Sequence, residues 1–187
     1  RADPAGPAAA ALLAGAGTRY VIDLHAWRGG AVAPTLSLAL AREDHVSDLP
    51  AGAVPQLQVG LRFHDARGRV IQSKALAEPG PAPLRDPVSG VIRMGADGQP
   101  LVGPSAAERW AVSGWKVLNN KDQPVRSFEP FFSDQAGYEA DLRVGVSAIQ
   151  LYDALGRESG VLSPDGSWAK VVRGAWRQES WDRNDTL

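Results

Sequence analysis

Apolar and polar residues alternate with a period of two along much of this chain, and this pattern constrains the fold more than any other feature. It is clearest in QLQVGLRFH, residues 56–64, where every second side chain is apolar: Leu57, Val59, Leu61 and Phe63. RYVIDLHAW and TLSLALAR repeat it. Because successive side chains of a strand point to opposite faces, the alternation predicts half-buried β-strands.

Weaker strand signals occupy the second half of the chain, at residues 115–118, 125–128, 147–152, 168–172 and 176–181. Turn sequences such as Asp65-Ala66-Arg67-Gly68 and Pro164-Asp165-Gly166 separate the candidate strands. The 20 glycines and 14 prolines suit a chain of many short strands, which needs many turns. The sequence therefore predicts a mostly β fold of antiparallel hairpins.

Two stretches depart from this pattern. Ser105-Ala106-Ala107-Glu108 fits the pattern of a capping box after Pro104, which predicts a helix of a turn or two at most. Prolines crowd residues 78–90 and cannot join a central ladder. The expected organisation is a flexible Ala/Gly/Pro-rich lead-in (1–17), a β-hairpin region (18–77), a Pro/Gly-rich linker or excursion (78–109) and a second β region (110–187).

Composition excludes several function classes. The net charge is −1, from 20 basic and 21 acidic side chains. The chain therefore lacks the excess of basic residues that would indicate nucleic acid as its main partner. No apolar run reaches the roughly 18 residues of a membrane span. The absence of cysteine excludes disulfides, zinc thiolates and cysteine nucleophiles. The opening residues resemble a signal peptide only superficially. We expect them to be a flexible lead-in, in a piece taken from a longer chain.

A short frame recurs, consisting of an acid, two spacers, then Gly-Arg. FHDARGRVIQ contains Asp65, Gly68 and Arg69, and LYDALGRESG contains Tyr152, Asp153, Gly156 and Arg157. LNNKDQPVRSF fits less well, with Asn120 at the acid position. The acid can accept backbone N–H bonds within a turn and glycine allows positive φ, so the frame predicts hairpin turns. The alternative, that Asp65 and Asp153 are catalytic acids, is less favoured.

Tryptophan is the other candidate for function, at Trp115, Trp168, Trp176 and Trp181. Exposed rings would bind sugars or a partner, whereas buried rings would fill space between sheets, and the sequence favours burial. The histidines His25, His45 and His64 lack metal-ligand spacing, and no G-x-S-x-G motif occurs. Glu129 and Glu139 could mimic a glycosidase pair, but structural carboxylates are favoured. No catalytic residue, metal site or cofactor is predicted.

The recurring frame resembles the YD repeats of Rhs proteins. The block from residue 114 to 186 resembles the middle region of the B component of insecticidal toxin complexes (Tc toxins), and the similarity extends over residues 18–187. The resemblance implies YD-repeat hairpins that form part of a larger shell-like sheet around a toxic polypeptide. It also implies as partners the rest of the B-component chain, a C component carrying the toxin and a pore-forming A component, in a secreted bacterial complex.

One departure from that family concerns proteolysis. Its self-cleaving partner uses paired Asp-Pro-x-Gly elements, but in Asp86-Pro87-Val88-Ser89-Gly90 the glycine comes one place late and no second copy follows. Protease activity is therefore not expected. The function expected from the sequence is a non-enzymatic shell segment that supports encapsulation and assembly of the toxin. The alternative is a carbohydrate or cell-surface binding β module that uses exposed tryptophans, and an enzyme ranks last.

Overall fold

The computed structural model describes residues 7–29, 33–50, 53 and 55–185. These contain one α-helix, two short 3-10 helices (Ala26–Gly29 and Val46–Asp48) and antiparallel strands. In chain order the elements are α1 (Pro7–Leu13), β1 (Thr18–Asp23), β2 (Thr35–Arg42), β3 (Leu57–His64), β4 (Val70–Ala77), β5 (Gly80–Pro83), β6 (Val102–Ala106), β7 (Arg109–Val112), β8 (Lys116–Leu118), β9 (Pro124–Ser127), β10 (Phe131–Ser133), β11 (Ile149–Tyr152), β12 (Glu158–Leu162), β13 (Trp168–Arg173) and β14 (Gln178–Trp181). The mostly β, antiparallel character expected from the sequence is confirmed.

The chain forms two compact units that interleave in sequence. The first takes the chain up to Gly95, together with Pro100–Ser113 and Pro130–Ala140. The second takes Ala96–Gln99, Gly114–Glu129 and Asp141–Leu187.

A six-stranded antiparallel sheet of order β1-β2-β3-β4-β7-β10 dominates the first unit. Its buried face is the one that the alternation predicts, because Val59, Leu61 and Phe63 along β3 are all buried. Trp110 and Val112 on β7 are buried as well. Removing these apolar side chains from water is the main favourable contribution to the stability of this unit.

The helix predicted near Ser105 is wrong. Ser105 lies in β6 and pairs with Pro81 of β5, in a two-stranded ladder separate from the large sheet. Glu108 does not cap a helix, because its Oε1 accepts a hydrogen bond of 2.9 Å from the indole N–H of the buried Trp110. The apolar residues that follow the capping box therefore continue as β7.

The stretches expected to be a lead-in and a linker or excursion contain regular elements. The lead-in, expected to be flexible, contains the helix α1, whose Ala9 and Leu13 are buried. Residues 1–6 of that lead-in lie outside the described part. The Pro/Gly-rich stretch contains β5 and β6, whose prolines Pro81, Pro83 and Pro104 lie in a ladder with only these two strands.

The second unit consists of a β8–β9 hairpin and a four-stranded meander in which β11, β12, β13 and β14 pair in chain order. Strands expected at 115–118, 125–128, 147–152 and 168–172 are found within a residue or two of those bounds. The strand expected over 176–181 begins only at Gln178, and Trp176 lies in the connection between β13 and β14.

Candidate functional site

The frame at residues 65–69 forms the hairpin turn between β3 and β4. The N–H of Gly68 donates to the carbonyl of Asp65 at 3.0 Å, and the N–H of Asp65 donates to the carbonyl of Arg69 at 3.0 Å. The Asp65 carboxylate accepts the N–H groups of Arg67 and Arg69, and the Arg69 Nε at 2.7 Å. Gly68 has a φ of +79°, the left-handed region that favours glycine. This is the three-residue hairpin loop that ends in a glycine bulge.

The frame at residues 153–157 builds the same turn between β11 and β12. Asp153 accepts the N–H of Leu155 and of Arg157 at 2.9 Å and the Arg157 Nε at 2.8 Å. Gly156 has a φ of +81° and donates to the carbonyl of Asp153 at 2.9 Å. The positive φ expected for Gly68 and Gly156 is therefore observed at both positions.

The third frame is displaced by one residue from its predicted alignment. Asn119, and not Asn120, takes the acid position, because the Asn119 Oδ1 accepts the N–H of Lys121 at 2.9 Å and of Gln123 at 3.0 Å. Asp122, with a φ of +65°, takes the position of the glycine. Asn120 is exposed at the tip of the loop. The predicted alignment of the third frame is wrong because it was made by matching side chains to the other two frames. The turn itself requires only a hydrogen-bond acceptor at its first position and a residue that tolerates positive φ at its fourth.

A fourth turn, at residues 163–167, uses the same backbone hydrogen bonds without an acid at its first position. The N–H of Ser163 donates to the carbonyl of Ser167 at 2.8 Å, and the N–H of Gly166 donates to the carbonyl of Ser163 at 3.0 Å. Gly166 has a φ of +85°. Asp165 accepts the N–H of Ser167 at 3.0 Å, so the carboxylate contributes from within the loop. The same turn thus closes hairpins of different sequence.

Hairpins β8–β9 and β11–β12 are joined turn to turn by side chains. The hydroxyl of Tyr152 donates to the carbonyl of Pro124 at 2.9 Å. The Gln123 side-chain amide donates to the carbonyl of Gly156, and the Lys121 ammonium donates to the carbonyl of Ala154. Arg157 of the frame pairs with Asp153 within its own turn.

The turn hydrogen bonds also set the electrostatics of the two acids. The Arg69 guanidinium bonded to Asp65 holds the pKa of that carboxyl below its ordinary value. The backbone N–H of Arg157, followed by its side chain, does the same for the pKa of Asp153. A general acid near neutral pH needs a raised carboxyl pKa. The geometry therefore favours a turn role for Asp65 and Asp153 over acid catalysis.

The tryptophans are less buried than the sequence favoured. Trp115 is half-buried, Trp168 and Trp181 are 36% and 40% exposed, and Trp176 is 99% exposed. The ammonium of Lys170 lies 4.7 Å from the ring centroid of Trp168 and 4.5 Å from that of Trp181. The expectation of burial is wrong for Trp168 and Trp181, because no other described residues cover the side of the four-stranded meander on which these two rings lie.

The remaining candidate residues have structural partners. His64 bonds the Ser37 hydroxyl at 2.9 Å and the carbonyl of Gly68 at 3.2 Å. Asp86 accepts N–H bonds from Val88 and Ser89 within its own loop, and the Ser89 N–H lowers the pKa of Asp86.

Glu139 pairs with Lys74 at 2.6 Å and Arg85 at 2.7 Å, while Glu129 accepts the side-chain amide of Gln99 at 2.7 Å. Within the described residues no cluster of three His, Cys, Asp or Glu side chains has the geometry to hold a metal. No helix there has the length and apolarity needed to cross a membrane.

Comparison with known proteins gives structural matches alone. No protein-family profile matches the chain, and no curated protein sequence does. The fold is similar to part of the crystal structure of TcdB2-TccC3, with a TM-score of 0.69 and 25% identity, over 99% of this chain and 9% of that one. It is also similar to TcdB2-TccC3 without the hypervariable C-terminal region (TM-score 0.63, 26% identity, 87% of this chain and 7% of that one).

A third match is to the Tc holotoxin pore of Photorhabdus luminescens (TM-score 0.61, 26% identity, 82% of this chain and 7% of that one). The chain thus spans less than a tenth of the length of the structures it matches. The resemblance to the Tc toxin B component, noted first in the sequence, is confirmed by this structural match over nearly the whole chain.

Proposed function

We propose that this chain is a structural, non-enzymatic segment of a Tc-type toxin component, in which its hairpins form part of a shell around a toxic polypeptide. The observation that supports this most is the match to TcdB2-TccC3 over 99% of the chain. Its partners would be the remainder of its own chain, a C component carrying the toxin and a pore-forming A component. The complex would be secreted from a bacterium.

The hairpin turns support a wall-building role. A single two-stranded hairpin is only marginally stable in water, so such units need to join their neighbours. Tyr152, Gln123 and Lys121 provide that connection between successive hairpins of the second unit. We assign the frames at 65–69 and 153–157 to the YD-repeat type, with Asn119–Gln123 as a variant of it.

A graft tests the proposal. The segment of TcdB2-TccC3 that matches this chain is replaced by residues 1–187, and the product is examined by size exclusion and electron microscopy. A closed particle that protects an enclosed polypeptide from added protease is the expected result. A matched graft carrying Tyr152→Phe and Gln123→Ala should assemble less well. A soluble, folded graft that forms open particles without protection would contradict a shell role.

The second candidate function is a carbohydrate-binding module. It is supported by Trp176, whose side chain is 99% exposed at the tip of the β13–β14 hairpin. A glycan array with the whole chain tests it, with Trp176→Ala as the variant. Array binding that Trp176→Ala abolishes, combined with failure of the graft, would replace the shell proposal with this one.

A further inference from the structure

One face of the β11–β14 sheet carries apolar side chains that the described residues leave open. Directly opposed residues of an antiparallel pair lie on the same side, and Leu162 faces Trp168 while Trp181 faces Lys170. The exposed fractions of the apolar members range from 36% for Trp168 to 50% for Leu151. We call this surface the aromatic face, and its residues are Leu151, Leu162, Trp168, Lys170, Val172 and Trp181.

A single lysine lies at the centre of the aromatic face. The Lys170 ammonium is held between the rings of Trp168 and Trp181, at 4.7 and 4.5 Å from their centroids. Among the residues that the structure describes, no carboxylate or carbonyl oxygen lies within hydrogen-bond distance of it. The nearby acid Glu179, opposite Val172 on the same side, is paired with Arg177 at 2.8 Å. The charge of Lys170 therefore remains available to an anion.

This charge specifies what can cover the face. A purely apolar partner would remove the ammonium from water without giving it an acceptor, which is unfavourable. A partner that places one anionic oxygen on Lys170, surrounded by apolar groups, gains both the apolar contact and a charge-assisted hydrogen bond. The complement of the aromatic face is thus an apolar surface with one negative charge.

Other classes of ligand fit this surface less well. Nucleic acids and anionic membranes are bound by several cations, and this face has one. Small molecules prefer concave sites, whereas this is the face of a sheet. Sugars stack on open aromatic rings, but the Lys170 ammonium lies over the rings of both Trp168 and Trp181.

We propose that the aromatic face binds a polypeptide segment in which one aspartate or glutamate is flanked by apolar side chains, with its carboxylate on Lys170. This goes beyond a wall-building role, because a wall segment needs no charge-selective surface. It also stands on observations other than the Tc-toxin match.

Fluorescence anisotropy with the whole chain provides the test. The probes are three labelled synthetic peptides of alternating valine and threonine, which differ only in a central glutamate, glutamine or lysine. The glutamate peptide should bind about tenfold more tightly than the glutamine peptide, since the extra strength of a hydrogen bond to a charged acceptor corresponds to roughly that change in affinity. The lysine peptide should bind most weakly.

Variants connect the preference to the face. Lys170→Met keeps the apolar stem and removes the charge, so the glutamate and glutamine peptides should bind equally. Lys116→Met, at an exposed position on β8 of the same unit, should leave the preference unchanged. Val172→Ser should weaken binding of both peptides without changing their ratio. Circular dichroism and melting temperature confirm that each variant is folded.

Several results would overturn the proposal. Equal binding of the glutamate and glutamine peptides by the unaltered chain is one, and a preference that survives Lys170→Met is another. A dimer seen by sedimentation that Lys170→Glu abolishes would make a second copy the occupant. Binding of an acidic oligosaccharide in place of any peptide would make the ligand a sugar.

Discussion

At the scale of single residues, the turns depend on backbone conformation more than on residue identity. Asp122 has a φ of +65° where Gly68 and Gly156 have +79° and +81°. Aspartate and asparagine tolerate the left-handed region better than most residues. The two Asp-x-x-Gly-Arg turns were therefore predictable from the sequence, whereas the third was misplaced by one residue, because Asn119 and Asp122 satisfy the same geometry with different side chains.

Glycine substitutions should separate conformational strain from crowding. Gly68→Ala should lower the free energy of unfolding by about 1 kcal/mol, because the added Cβ meets open space but φ is positive. Gly156→Ala should cost more, since its Cβ would also lie 3.1 Å from the Gln123 side-chain amide. Gly60→Ala, in β3 with open space and no positive φ, is the control and should be near neutral. Urea denaturation measures all three, and equal losses would contradict this account.

The charge of Asp153 should contribute to stability in a defined pH range. Its pKa is lowered in the folded protein, chiefly by the Arg157 backbone N–H, so its contribution is present above the unfolded value of about 3.9. That contribution is lost as pH falls through the folded value. Asp153→Asn keeps an oxygen acceptor without the titration, so its melting temperature should fall less on acidification. Parallel melting curves of the two proteins across the acid range would disprove the linkage.

At the scale of elements, period-two alternation predicted the strands β1, β2 and β3, and the expected buried face is found on β3. Residues 57–64 and 35–42 are β3 and β2, and Val59, Leu61 and Phe63 of β3 are buried as predicted, with Leu57 partly exposed. The half-buried strand predicted from RYVIDLHAW is wrong in its burial, because β1 is exposed along its whole length. The short strands β5, β6, β7, β10 and β12 were not predicted. Each of these strands has only three to five residues, and β5 and β6 also contain prolines. The strands with which β7 and β10 pair are distant in the sequence. Local patterns carry little information about such strands.

The hydroxyl of Tyr152 should stabilise the contact between hairpins. Tyr152→Phe removes the 2.9 Å hydrogen bond to the Pro124 carbonyl and should cost about 1 kcal/mol of unfolding free energy. Tyr20→Phe is the control, because Tyr20 is 74% exposed and has no hydrogen bond through its hydroxyl among the described residues. Chemical denaturation compares the two, and an equal effect would mean that the Tyr152 hydroxyl does not link the hairpins.

A buried polar cluster anchors the segment after β10 to the large sheet. Gln72 donates to the Glu139 carbonyl at 2.8 Å, and the fully buried Lys74 donates to the Gln135 carbonyl at 2.8 Å. Burial lowers the pKa of Lys74 even though Glu139 opposes the shift. Sequence alone could not reveal these contacts, because Lys74 lies on a strand whose pattern gives no sign of a partner 65 residues away.

Substitutions in this cluster should have unequal effects. Glu139→Gln leaves Lys74 and Arg85 without their shared carboxylate and should cost about 3 kcal/mol or more. Lys74→Met should cost less, since the desolvation of the ammonium disappears and Glu139 keeps Arg85. Asp141→Asn, in an exposed pair with Arg143, is the control and should change stability by less than about 0.5 kcal/mol. If Lys74→Met proved the more harmful change, burial would not dominate this cluster.

At the scale of the whole molecule, the class of fold followed from the sequence but the arrangement of strands did not. Consecutive hairpins were expected, whereas the six-stranded sheet inserts β7 and β10 beyond β4. The outer strand β1 is exposed along all six residues, including Ile22 at 64%. An apolar edge strand of this kind favours pairing with another chain.

The chain should therefore associate through β1 when it is studied alone. Sedimentation velocity should show a concentration-dependent increase in mass, and Ile22→Lys should reduce it, since a charge on an edge strand disfavours pairing. Val88→Lys is the control, because Val88 is 95% exposed in a turn between β5 and β6. A chain that remains monomeric at high concentration would show that this edge is already protected.

The six-stranded sheet and the β11–β14 meander differ in how far apart in the sequence their paired strands lie, and this difference affects how quickly each can fold. Every ladder in the meander joins neighbours in the sequence, so its contact order is low and loop closure is inexpensive. The large sheet is complete only when β10 has paired with β7, and β5, β6, β8 and β9 lie between β4 and β10 in the sequence without belonging to this sheet. During refolding, amide protons of β11–β14 should become protected from exchange before those of β7 and β10. The C-terminal meander would then be the early-forming part of the chain and the large sheet its slow step.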